Sequence, residues 1–310
     1  MKTVRIHEYG NADVLRIEEM PVPKIADDEL LVKIHAASVN PVDWKMREGY
    51  LKDMHLHNLP LTLGQDFSGT IEKVGRNVMG FKTGDKVFGR PSMEENGSYA
   101  EFIVVKSNEV ALMPKTSTYD EAATIPVAGT AAWDALINKG KIHKGQRVLI
   151  LAASGGVGSL AVQIAKNMGC YVIGTTSKVN VNFVRDLGAT EVIDYLSEDF
   201  SERLTNIDVV LDTIGGTVQE RAFKVLRKGG VLVSTANRPN QEFANRYGVR
   251  AEFVFVGPDA HILNELKTLI EMGQIRPVID KIFRFEDVKQ AQNYSQSGKA
   301  CGKIVLEVAS

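Results

Sequence analysis

A chain of 310 residues, 44% apolar and 24% charged, can bury a large core and has room for two domains, which excludes a fibrous or disordered protein. Its formal net charge of −1 gives no electrostatic reason to expect nucleic acid or an anionic membrane as a partner. No apolar run approaches the roughly 20 residues of a membrane span, and the N-terminal MKTVRIHEYG has no signal-type apolar core, so a cytoplasmic location is the expectation.

From Met1 to about Lys115 short β-type runs alternate with Gly, Pro and Asp. The pattern predicts strands over Val4 to His7, Asp13 to Glu18, Glu29 to Ser38, Asp66 to Val74, Lys86 to Phe88, Tyr99 to Lys106 and Glu109 to Met113, as in a compact antiparallel barrel. From Tyr119 an Ala-rich helical region runs, with a break at Pro126, to about Lys139. Regular βα alternation then takes over, which is the signature of a parallel sheet with right-handed crossovers. Its strands are expected at Arg147 to Ala152, Tyr171 to Thr175, Glu191 to Asp194, Asp208 to Asp212, Gly230 to Ser234 and Arg250 to Val256. Helices fit between and after them at Ser159 to Met168, Val179 to Leu187, Phe200 to Leu204, Val218 to Val225 and His261 to Met272. A strand at Val278 to Phe285, a helix to Ser295 and a last strand, Lys303 to Val308, close the chain and are expected to pack on the N-terminal part. The resulting division is 1–118 with 274–310 as one domain and 119–273 as the other.

The stretch from Gly145 to Lys166, GQRVLILAASGGVGSLAVQIAK, reads as a strand, a glycine turn and a helix. That is the layout of a dinucleotide-binding turn, with pyrophosphate on the free N–H groups of the helix start. Ser154, Gly155, Gly156, Val157 and Gly158 would form the cradle, Ala153 standing where the first glycine of the usual pattern would be. A bare glycine turn, or a different ligand such as a methyl donor, are the other readings. An NAD site places Asp or Glu at the end of the second strand, where it would repel a 2′-phosphate. Here that end reads Gly174-Thr175-Thr176-Ser177-Lys178 with no acid from Cys170 to Arg185, so a hydroxyl at Ser177 and a cation at Lys178 point to NADP. A solvated lysine is the alternative for Lys178.

The same turn, in the form AAxGGVG, resembles the zinc-independent quinone oxidoreductase (zeta-crystallin-like) group of the medium-chain dehydrogenase/reductase superfamily. The resemblance extends along the chain through Ala37-Ser38-Val39-Asn40-Pro41-Val42-Asp43, Gly64-Gln65-Asp66-Phe67-Ser68-Gly69, Gly84-Asp85-Lys86-Val87, Ile125-Pro126 to Thr130-Ala131, Val209-Leu211-Asp212-Thr213-Gly215-Gly216 and Gly302-Lys303-Ile304-Val305-Leu306. It implies an α/β protein with a doubly wound Rossmann domain and a GroES-like β-barrel catalytic domain. It also implies transfer of hydride from NADPH to quinones or α,β-unsaturated carbonyls, and a homodimer formed through the edge strand Arg250 to Val256.

Zinc alcohol dehydrogenases share the superfamily, so the metal is decided on residues. Catalytic zinc takes Cys, His and carboxylate ligands, whereas by similarity the first cysteine position is Asn40 and the histidine position is Gln65. Cys170 and Cys301 build neither a disulfide framework nor a cysteine cluster. The six histidines form no ligand motif, and His55 and His57 read as loop or surface residues. No metal is expected. Among donors, the resemblance puts Asn40 near the nicotinamide and the acceptor oxygen, and Lys45 at the mouth of the pocket as a proton donor or a solvated charge. Asp43 either fixes the loop or takes part in chemistry. Further cofactor contacts implied in the same way are Thr130, Tyr195 on the 2′-phosphate side, Lys303 at the pyrophosphate, and the main chain around Phe255 and Val256. A protein that binds NADPH as a sensor or structural component with little turnover, and an alcohol dehydrogenase, are the alternative functions.

Overall fold

A computed structural model describes residues 1–55 and 58–308. His57 lies outside the described residues, while His55 is exposed on a turn. The chain divides into two compact units, Met1–Val127 with Gly257–Gly273 and Pro277–Ser310, and Ala128–Val256 with Gln274–Arg276. Among the described residues no helix is long and apolar enough to cross a membrane.

The first unit is built on the strand Glu29–Val39, eleven residues long and buried over most of its length. Its first half pairs with Phe102–Lys106 and its second half with Lys303–Glu307, while Asp66–Val74 runs antiparallel along it. Two register irregularities against Asp66–Val74, after Leu31 and after Ile34, bend the strand so that one segment serves several partners. Ile279–Arg284, Lys86–Gly89 and Val110–Leu112 complete this seven-stranded sheet, and Lys2–Ile6 with Arg16–Glu19 and Leu61–Thr62 forms a smaller one. The closing strands therefore join the N-terminal sheet, as the sequence suggests. Leu30, Val32, Ile34, Phe67, Ile71, Val87, Ile103, Val105 and Val110 make one core, and Val4, Ile6, Ala37, Tyr99, Phe285 and Leu306 belong to a second.

The second unit holds six parallel strands in the spatial order Glu191–Asp194, Tyr171–Thr176, Arg147–Ile150, Ile207–Asp212, Leu226–Ser234 and Arg250–Phe253. In chain order this is 3-2-1-4-5-6, the doubly wound arrangement, whose ligand crevice lies at the carboxyl ends of the adjacent first and fourth strands. The strands are apolar on both faces, and Leu149, Ile173, Val210 and Leu232 are fully buried beneath the flanking helices, as parallel sheets require.

Several elements differ from the sequence-based expectation. The Asn11 side chain accepts from Asp13 N at 2.9 Å, which makes a turn of Ala12–Val14 and delays the strand to Arg16–Glu19. Pro41–Arg47 is a helix, not a loop; Pro41 is already shaped for the first helical position. Gln241–Tyr247 is a further helix, started by Asn240, whose oxygen accepts from Glu242 N and Phe243 N, and ended by Gly248 at φ +64. The sixth strand stops at Phe253, short of Phe255 and Val256.

Candidate active site

Two clusters of expected residues form, one in each unit. In the second unit the strand Arg147–Ile150 ends in a turn where Ala152 takes φ +51, and the helix Gly156–Asn167 follows with Gly155 as its cap. Gly158 is required by packing: a Cβ there would lie 2.2 Å from Ala152 O and 2.8 Å from Ala153 Cα. At Gly155 a Cβ would meet only Ala152 O, at 3.4 Å, so the turn's outer face is open. The first N–H groups of a helix have no partner within it, and here they belong to Gly156, Val157 and Gly158. This is a cradle for an anion, and it fits a pyrophosphate.

The second strand, Tyr171–Thr176, pairs directly with Arg147–Ile150, which brings its end beside the turn. Thr176 Oγ1 donates to Ser154 Oγ at 2.9 Å, and Asn180 Nδ2 reaches the hydroxyl oxygens of Ser154 and Ser177, each at 3.4 Å. Ser177 is half-buried, Lys178 is exposed, and Tyr195 is 55% exposed. The residues fit a 2′-phosphate in donor chemistry, because hydroxyls, an amide and an ammonium line this strand end. Thr130 is buried and its hydroxyl has no partner among the described residues. Phe255 is exposed and Val256 half-buried, both beyond the last strand.

The first unit's cluster follows from strand register. Ser38 stands opposite Asp66, and Val39 opposite Ile304, so Ser38, Asn40, Asp66 and Lys303 meet at one end of three neighbouring strands. Asp66 is fully buried; its Oδ2 accepts from Ser38 Oγ at 2.6 Å, Asn40 Nδ2 at 2.7 Å and Lys303 Nζ at 3.0 Å. Its Oδ1 accepts from Val127 N at 2.7 Å. Lys303 Nζ also donates to Asn40 Oδ1 and, at 3.5 Å, to Val39 O. Three acceptors take its three protons. Resemblance suggested Lys303 as a pyrophosphate contact; in this arrangement its ammonium neutralises Asp66 and holds Asn40.

Asp43 joins the same cluster from the helix Pro41–Arg47. Its Oδ2 accepts from Asn40 N at 2.7 Å and from Tyr99 OH at 2.8 Å, which ties the start of this helix to Tyr99. Burial, opposed in part by these two bonds, pushes its carboxyl up to about 7. Tyr99 is raised well above its ordinary value, by burial first and then by the charge of Asp43. Lys45 stands apart, half-buried with its ammonium 5.7 Å from the Trp44 ring centroid. The reading by resemblance singled out Asn40 and Asp43 but not Ser38, Asp66 or Tyr99. Asp66 and Ser38 stood within segments that carried the resemblance, while their pairing depends on a register that has no local signal.

A zinc ion does not fit these residues. Asn40 spends its oxygen on Lys303 and its amide on Asp66, and Gln65 Oε1 accepts from Arg90 Nη2 at 3.0 Å. Amides are poor zinc ligands, and here two fixed cations occupy their oxygens. Among the described residues no group of three or more His, Cys, Asp or Glu could hold a metal.

Two family models match the chain, the alcohol dehydrogenase GroES-like domain over residues 26–115 and the zinc-binding dehydrogenase over residues 187–306. The chain is 35% identical to a mitochondrial NAD(P)H oxidoreductase of Danio rerio, covering 98% of this chain and 90% of that protein. It is 35% identical to the chloroplastic NADPH-dependent alkenal/one oxidoreductase of Arabidopsis thaliana, covering 99% of this chain and 79% of that one. The solved quinone oxidoreductase of Coxiella burnetii superposes with a TM-score of 0.93 at 33% identity, covering 100% and 99% of the two chains.

Proposed function

We propose that this chain, which belongs to the quinone oxidoreductase group of the medium-chain dehydrogenase/reductase superfamily, reduces α,β-unsaturated carbonyls or quinones with NADPH and without zinc. The observation that carries this reading is the cluster of Asn40, Asp66 and Lys303, where a buried ion pair fills the place of a metal and holds the candidate donor from both ends. Without a Lewis acid an isolated ketone is poorly activated. A conjugated acceptor spreads the developing charge onto its oxygen, where a hydrogen-bond donor suffices. The names of the relatives, an alkenal/one oxidoreductase and a quinone oxidoreductase, support the same acceptor classes.

NADPH, when bound, supplies the hydride. The glycine turn and the helix start of Gly156–Asn167 would hold its pyrophosphate, and Ser177, Lys178 and Tyr195 its 2′-phosphate. Asn40 would donate to the acceptor oxygen. As the β-carbon gains its new C–H bond, the C=C pair moves toward that oxygen, and the enolate then takes a proton from solvent. We assign the donor role to Asn40 rather than Lys45, whose ammonium rests against Trp44. Thr130 and the backbone at Phe255 and Val256 belong to the same reading as nicotinamide contacts. So does a homodimer through Arg250–Phe253, an edge strand of its sheet. The cytoplasmic expectation also stays within this proposal, since the relatives named above are mitochondrial and chloroplastic and the family does not dictate a compartment.

The test is stopped-flow mixing of NADPH-loaded protein with a panel of enones and quinones. Accelerated NADPH oxidation is expected, and no acceleration by any acceptor refutes the proposal. Lys178→Ala should weaken NADPH by about 10- to 100-fold, as for the loss of one charged hydrogen bond, and leave NADH nearly unchanged. Equal losses for both cofactors refute the 2′-phosphate assignment.

A further inference from the structure

Asn40 is an amide whose two ends are chemically opposite yet nearly the same shape, so its orientation must be set by what surrounds it. Its surroundings are unusually one-sided. Lys303 Nζ can only donate and faces Oδ1; Asp66 Oδ2 faces Nδ2 and, as a carboxylate, can only accept. Turning the amide over would set NH2 against an ammonium and a carbonyl oxygen against a carboxylate, losing two charge-assisted bonds and creating two repulsions. All three side chains are almost fully buried, with Asp66 at 0%, Asn40 at 3% and Lys303 at 6% exposure, so water cannot screen either contact. One Nδ2 proton goes to Asp66. The other has no acceptor recorded among the described residues.

We infer that Lys303 and Asp66 act as a positioning pair that locks the Asn40 carboxamide so that its second Nδ2 proton is presented to the acceptor oxygen. This rests on the reductase reading above and extends it, because it turns a buried ion pair into the element that decides whether Asn40 offers an N–H or a lone pair. Neither Lys303 nor Asp66 touches the reacting atoms in this scheme. Ser38, which donates to the same Asp66 oxygen, leaves that carboxylate no freedom to rotate away, and Val127 N holds its other oxygen.

The experiment compares wild type, Lys303→Met, Asp66→Asn and the double variant in three measurements: thermal unfolding, NADPH affinity by fluorescence titration, and kcat/KM for an enone at saturating NADPH. Removing one oxyanion donor costs about 10²- to 10³-fold in rate, so the enone value should fall by about that factor in the double variant while NADPH affinity holds. The double variant carries no unpaired buried charge, so its thermal stability should recover relative to Lys303→Met. Recovered stability with enone activity still lost supports a positioning role. Enone activity that recovers with stability overturns it, since the pair would then be structural only, and so does a loss of NADPH affinity as large as the loss in kcat/KM. Should Lys303→Met fail to fold, the double variant and Asp66→Asn still carry the comparison. A wild-type protein that reduces no enone or quinone refutes the reductase reading itself, a result distinct from variants that match an active wild type.

Discussion

Replacing Lys303 by Met should destabilise the first unit sharply, and replacing Asp66 by Asn in the same chain should restore most of the loss. Lys303 Nζ lies 3.0 Å from Asp66 Oδ2, with side-chain exposures of 6% and 0%. At an effective dielectric constant of about 20, two unit charges at that distance attract by about 5 kcal/mol. Desolvation offsets much of this attraction in the intact pair, yet removing one partner strands the other charge, and broken buried pairs of this kind cost about 3–5 kcal/mol. Ser38, Asn40 and Val127 still donate to Asp66, which places the expectation toward 3 kcal/mol. With Asn at position 66 no charge is left to strand, and the double variant should lie within about 1–2 kcal/mol of wild type. Denaturant unfolding followed by tryptophan fluorescence measures this. The chain has two tryptophans, so a Trp133→Phe background leaves Trp44 to report on the unit that contains the pair. A loss below about 1 kcal/mol for Lys303→Met, or a double variant no more stable than that single one, refutes the reasoning.

Asp43 should give stability an unusual pH dependence. Its carboxyl is raised from 3.8 to about 7, so between those values the folded chain holds a proton that the unfolded chain has released. This contribution to stability is therefore present at low pH and lost as pH rises through 7. About three pH units of separation correspond to a loss on the order of 4 kcal/mol. Asp43→Asn, which keeps an acceptor for Asn40 N and Tyr99 OH, should gain on wild type as pH is raised from 5 to 8 in parallel urea titrations; a constant difference over that range rules the mechanism out. In the glycine turn, Gly158→Ala should lower the melting temperature, because its Cβ would lie 2.2 Å from Ala152 O, an overpacking worth about 1–3 kcal/mol. Gly155→Ala, whose Cβ would meet only one atom, at 3.4 Å, should melt like wild type yet bind NADPH more weakly, as read by fluorescence titration. Wild-type affinity in Gly155→Ala would mean that the open face of the turn does not approach the cofactor.

Some of this was written locally in the sequence. The apolar run of Arg147–Ile150, the small residues after it and the helical spacing beyond depend on neighbours a few positions away, so the strand, glycine turn and helix could be read locally, and the structure has a strand and a helix there. The lack of an acid after Tyr171–Thr176 is likewise a matter of composition. That the second unit's strands run parallel followed from βα alternation and crossover handedness, whereas their spatial order appears only in the structure. What local signals misjudged were short helices set by their caps, such as Pro41–Arg47 and Gln241–Tyr247, where capping hydrogen bonds or a proline outweigh weak propensity.

The chemistry of the first unit was decided elsewhere. By itself the sequence determined that amides stand at 40 and 65, the positions that resemblance assigns to zinc ligands, and that a basic residue sits at 303, because residue identity is local information. That Lys303 turns inward to Asp66, 237 positions away, and that the two together hold both ends of the Asn40 amide, only the tertiary structure decided. Strand Glu29–Val39 must pair with Asp66–Val74 on one side and Lys303–Glu307 on the other in one register, and that register is set by burial of whole strand faces. A shift of one residue would send Asp66 to the opposite face and leave Lys303 with nothing to neutralise.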